Sequence, residues 1–136
     1  MAMIIDSPVT VGPHDAAENL SGKEGYAAIV DGSGNIALAD GGEDESATVV
    51  GVISSVSGSD ADSTQQAVLA LGHAYIRLGE ACSAFSPLTC AASGGDADWV
   101  LADAASKRVK AIALQAGSDG DLVKAFCIGT SVSAVA

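Results

Sequence analysis

Basic residues are few. Six lysines and arginines stand against seventeen acids, and the net charge is −11. That balance is unfavourable for wrapping a polyanionic nucleic-acid backbone. The one basic cluster, Lys107, Arg108 and Lys110, lacks the interleaved aromatics of a single-strand binder. Aromatics are scarce, with one Trp, two Tyr and two Phe. There are three cysteines, an odd number with no CxxC pair, which argues against a secreted disulfide framework. Each reads as a small apolar core residue. The two histidines, His14 and His73, have no metal-ligand spacing. No Walker A loop, no GxGxxG opening a helix and no GxSxG elbow occurs. There is no basic-then-apolar leader and no run of about 18 apolar residues. The expectation is a soluble chain made in a reducing cytoplasm, with no cofactor, metal, membrane or nucleic-acid partner and no catalytic site.

What is present is small and β-branched. Of 66 hydrophobic residues 26 are Ala, so the larger core must come from 13 Val, 9 Leu, 8 Ile and five aromatics. Val and Ile outnumber Leu, and β-branched side chains suit a pleated surface. The 16 Gly fall mostly in short polar clusters between apolar runs. Short β-rich runs punctuated by glycine point to an all-β fold, a compact β-barrel-like or β-sandwich single domain. A chain of 136 residues buries roughly two-thirds of its unfolded surface and needs no metal or disulfide staple. The charge is uneven. Residues 1–62 hold eleven acids and one base, Lys23, whereas residues 63–136 hold six acids and five bases.

Residues 1–20 read as an extended N-terminal arm preceding a β-rich domain over 21–136. Pro8 and Pro13 remove backbone donors and disfavour helix. Ile4, Ile5, Val9 and Val11 are apolar on an otherwise extended segment that is stable only if it packs on something. With Pro8 they are the expected contacts of an arm to another chain, the alternative being an edge strand docked on its own domain. Tyr26–Val30 and Ile36–Ala39 flank Asp31-Gly-Ser-Gly-Asn35, a hairpin with a turn tolerant of positive φ. That turn resembles the start of a calcium loop, but Ile36 and Gly42 stand where an EF-hand needs Gly and Glu. Residues 47–56 read as a strand in which Gly51 marks a bulge or close backbone approach. Ala67–Leu78 is assigned to strand in preference to helix because Gly72 interrupts it. Further strands are expected at 99–102, 107–116 and 122–128. Over 107–116 the alternation places Arg108, Lys110, Ile112 and Leu114 on one face, opposite Val109, Ala111 and Ala113. Trp99, Arg108 and Lys110 are the candidate subunit interface, Trp99 because a lone indole is a strong core or interface anchor.

Four segments carry a resemblance: GYAAIVDGSGNIALA, VVGVISS, AYIRLGEACSAFSPLTCAASGG and RVKAIALQAGSDGDLVKAFCIG. Their order of strands and turns resembles the small capsid decoration, or cement, proteins of tailed phages. Gly72–Ile76, Cys82–Leu88 and Ala111–Leu114 occupy the corresponding places, and the likeness spans roughly residues 22–129. One departure is Ser86-Pro87, where that family has a glycine before the late leucine. The resemblance implies a β-barrel-like body without catalysis. It also implies binding to the major capsid protein on the outside of an icosahedral shell, as a homotrimer at local three-fold positions, in a virion assembled in the host cytoplasm. A small-ligand-binding β-barrel and another minor virion adaptor are the alternatives.

Overall fold

The computed structural model describes residues 9–40, 50–57, 66–90 and 97–133, the last five by backbone alone. All regular elements there are strands, as the Val and Ile excess predicts: β1 (Val9–Asp15), β2 (Ala27–Val30), β3 (Ile36–Leu38), β4 (Gly51–Ser57), β5 (Gln66–Arg77), β6 (Pro87–Cys90), β7 (Trp99–Leu101), β8 (Arg108–Ala113) and β9 (Leu122–Ser133). The eight-strand path β3-β2-β4-β5-β9-β8-β6-β7 is antiparallel and curls into a half-barrel, and β1 pairs with β5 beside it.

The long strand β5 serves both halves of the sheet. Gln66–Leu71 pairs with β1 and β4, whereas Gly72–Arg77 pairs with β9. The change of partner falls at Gly72, whose φ of 91° lies where a side chain is disfavoured. Gly51 answers a different need. A Cβ there would meet the Ala70 carbonyl oxygen, Leu69 Cγ and Leu71 Cδ2, each at 2.8 Å, so β4 can lie this close to β5 only with glycine. At the far end of the path, β7 is drawn back onto the sheet. Leu78 bridges Trp99, and the Ala27 amide donates to the Ala97 carbonyl at 2.8 Å. This covers an edge that would otherwise present unpaired backbone groups.

The principal core lies inside the curl. Trp99, Ile76, Leu78, Leu88 and Val52 pack there with Ala111, Ala113, Ala125, Cys90 and Cys127. Alternation on β9 sends Val123, Ala125 and Cys127 inward and Leu122, Lys124 and Phe126 outward. Trp99 is fully buried, so the indole is a core anchor and not a subunit-interface residue. Its Nε1 and the Thr89 hydroxyl, both buried, find no hydrogen-bond partner among the described residues.

The arm expectation needs correction over residues 9–20. β1 is paired with β5 from Val9↔Leu71 to Asp15↔Gln66, with a register shift between Val11 and His14 that accommodates Pro13. Ala16 and Leu20 are fully buried in a second core with Ala28, Ile36, Ile53, Ala67 and Leu69, and Val11 packs against it. The domain therefore begins at least as early as Val9. The physical reason is burial: Ala16 and Leu20 pack with Ile36, Ile53 and Leu69, and detaching the segment would expose that apolar surface. Val9 itself is exposed. Ile4, Ile5 and Pro8 lie outside the described residues.

Candidate functional site

Register builds one outer face from four strands. Pro87 of β6 stands opposite Ile112 of β8, Ile112 opposite Phe126 of β9, and Phe126 opposite His73 of β5. Side chains directly opposite share a face, so these four form a cross-strand row. The His73 and Phe126 rings meet edge to face at 5.3 Å. The next row brings Lys124 opposite Tyr75, and the one after it Leu122 opposite Arg77. Tyr75, Leu122 and Phe126 are exposed, which makes this face the main concentration of large apolar surface among the described residues. A contiguous exposed apolar patch of this kind marks interaction surfaces more often than isolated hydrophobics do.

Cations are drawn to the same region. The Arg77 guanidinium and the Lys23 ammonium lie over the Tyr26 ring, 5.6 and 5.0 Å from its centroid. Arg77 Nη1 also donates to the Gly120 carbonyl at 2.9 Å. The face thus combines aromatic, aliphatic and basic groups on a chain that is acidic as a whole.

An open hollow of about 380 Å³ sits where β4 and the bend of β5 diverge. Its lining includes the aliphatic residues Val52, Ile53, Ala70, Ala74 and Leu122 and the polar or charged residues Glu24, Ser54, His73, Tyr75 and Lys124. The volume falls within the range of small-molecule sites. Cys127 points to the opposite side of β9 from Phe126, and burial pushes its thiol up to about 12. Cys82, half-buried, is also raised, chiefly by burial, and its thiol faces the Gln115 carbonyl at 3.9 Å. Neither cysteine presents a thiolate, and His73 is stacked on Phe126.

The expected basic cluster is dispersed. Lys110 is fully buried, at the register shift between Val109 and Ala111 where simple alternation fails. It cannot serve as an interface residue. Lys107 is engaged within its own loop, with Asp103 Oδ1 at 3.0 Å, and this holds the Asp103 carboxyl below its ordinary value. Arg108 is partly exposed and pairs in β-register with Ser133. The Asp31 turn is a hairpin turn: Asp31 Oδ1 accepts from the Ser33 and Asn35 amides at 2.8 and 2.9 Å. Among the described residues no cluster of three His, Cys, Asp or Glu side chains could hold a metal ion.

The outer face escaped sequence reasoning because its strands are apolar on both sides. Phe126 and Leu122 look like core residues until the pairing partner of each strand is known. No family model, no curated protein and no solved structure matches the chain.

Proposed function

We propose that the protein is a structural decoration subunit that binds the outside of an icosahedral phage capsid and stabilises it without catalysis. The observation that carries this reading is the outer face of β5, β8 and β9, an apolar and basic surface exposed on a stiff, cross-paired sheet. A cement protein needs such a surface and no active site, since many weak contacts multiplied by shell symmetry supply the strength. The order of strand and turn segments over residues 22–129 supports the same reading through its resemblance to decoration proteins. On this reading the partners are the major capsid protein and further copies of the chain, arranged as a homotrimer on the particle.

The test is co-sedimentation of the purified protein with expanded phage heads that lack it. Saturable binding that raises the temperature at which heads release their DNA supports the proposal; no binding at micromolar protein overturns it. The hollow beside Ser54 and Tyr75 favours one second reading, a small-ligand carrier. Under that reading a ligand would raise the melting temperature of the isolated protein, and Ser54→Phe would abolish the rise.

A further inference from the structure

The base of the hollow between β4 and β5 is closed to a ligand. Val52, Ile53 and Ala70 line it yet are each 1% exposed. The accessible lining is of two kinds. Tyr75 and Leu122, 61% and 50% exposed, supply apolar surface. Tyr75 stands opposite Lys124 in the β5–β9 register, and Leu122 lies two residues along β9 from Lys124, so ring and leucine are diagonal neighbours on one face. Glu24, from the turn before β2, and Ser54, from β4, are exposed and bring a carboxylate and a hydroxyl. Charge in the lining balances, since Glu24 is matched by Lys124.

This mixture narrows the class of ligand. A purely apolar molecule would find little surface to bury, because the aliphatic base is out of reach. An anion would be drawn by Lys124 and repelled by Glu24, and a cation the reverse, so neither sign gains net attraction. A neutral polyhydroxyl ring suits both kinds of surface. Its C–H face packs on an aromatic ring, while its hydroxyls donate to a carboxylate and exchange hydrogen bonds with serine and phenol hydroxyls. Size agrees. The volume of about 380 Å³ lies towards the lower end of small-molecule sites, as a mono- or disaccharide requires. We propose that the hollow binds a neutral saccharide, its pyranose ring laid against Tyr75 and Leu122 and its hydroxyls on Glu24 and Ser54. The inference rests on the second reading above, that the hollow takes a small ligand, and is independent of capsid binding.

Ligand-observed saturation-transfer NMR on the full chain tests it. The probes are methyl glucoside, methyl galactoside, N-acetylglucosamine and maltose, with indole, leucine and inorganic phosphate as controls. At least one sugar should bind, with millimolar affinity, because hydrogen bonds in an open hollow compete with water. Tyr75→Ala should weaken that binding about tenfold, through loss of the aromatic surface. Glu24→Gln, which keeps the shape and removes the charge, should weaken it by about the same factor, because hydrogen bonds to a charged group are the stronger ones. Both side chains are exposed, so both variants should melt like the unaltered protein. Binding of a control and of no sugar would overturn the saccharide assignment and leave the small-ligand reading standing. Binding of no probe at all would overturn both. Sugar binding that either variant leaves unchanged would place the site elsewhere and overturn the proposal. Sugar binding by a chain that fails to bind heads would sink the capsid reading and leave this site standing.

Discussion

Replacing Leu20 by alanine tests whether the N-terminal segment is part of the domain. Leu20 is fully buried, and its cluster is otherwise built from three alanines, Ile36, Ile53 and Leu69. Truncation removes the transfer free energy of the side chain and leaves a cavity that short alanine side chains cannot close. Buried Leu→Ala changes cost about 2.7–5 kcal/mol, and a central figure of about 3 kcal/mol is appropriate here. For a domain of this size that lowers the melting temperature by roughly 10 °C. Urea unfolding followed by fluorescence is a direct assay, because the single tryptophan, Trp99, is completely buried and will report its exposure. Val9→Ala is the control. Val9 is 68% exposed, so its truncation should change stability by less than about 0.5 kcal/mol. Should Leu20→Ala unfold within about 0.5 kcal/mol of the unaltered protein, residues 9–20 do not belong to the folded unit and the second core is wrongly assigned.

Three further outcomes follow from particular contacts. Gly51→Ala forces a methyl against the Ala70 carbonyl and two leucines at 2.8 Å, and should cost about 1–3 kcal/mol in denaturant unfolding; a neutral result would mean that β4 and β5 lie further apart. Thr89→Val replaces a buried hydroxyl that lacks a partner among the described residues, and should leave stability unchanged or raise it by about 1 kcal/mol; a loss of that size would reveal a bond made by the hydroxyl. Burial holds Cys127 neutral in the folded chain, with its pKa pushed from 9.0 to about 12. The associated stability is whole below pH 9 and is lost as pH rises from there towards 12, at about 1.4 kcal/mol per pH unit. Cys127→Ala should therefore flatten the decline of unfolding free energy between pH 9 and 10.5, and an unchanged slope would contradict the assignment.

Local features of the fold were legible where a few neighbouring residues decide them. The β2–β3 hairpin follows from Asp31 and the glycines beside it, and Gly51 announced a close approach that the β4–β5 contact requires. Features that depend on distant partners were not. β1 pairs with residues more than fifty positions away, and Pro8 and Pro13 masked its strand character. Lys110 is buried where the register between β8 and β9 shifts, which alternation along one strand cannot foresee. Phe85 has a φ of 66° and its amide donates to the Ala113 carbonyl of β8, and no property of Ala84-Phe85-Ser86 signals either. The outer face was hidden for a related reason. Tyr75, Leu122 and Phe126 are typical core residues by type, and only the pairing of β5 with β9 shows that they stand together on the exposed side.

The most direct test of the decoration reading is a cryo-electron microscopy map of phage heads assembled with and without the protein. The account predicts density for a small β-domain added to the outer surface, clustered at local three-fold positions, and absent from particles made without it. Identical maps, or isolated single domains scattered without symmetry, would contradict it.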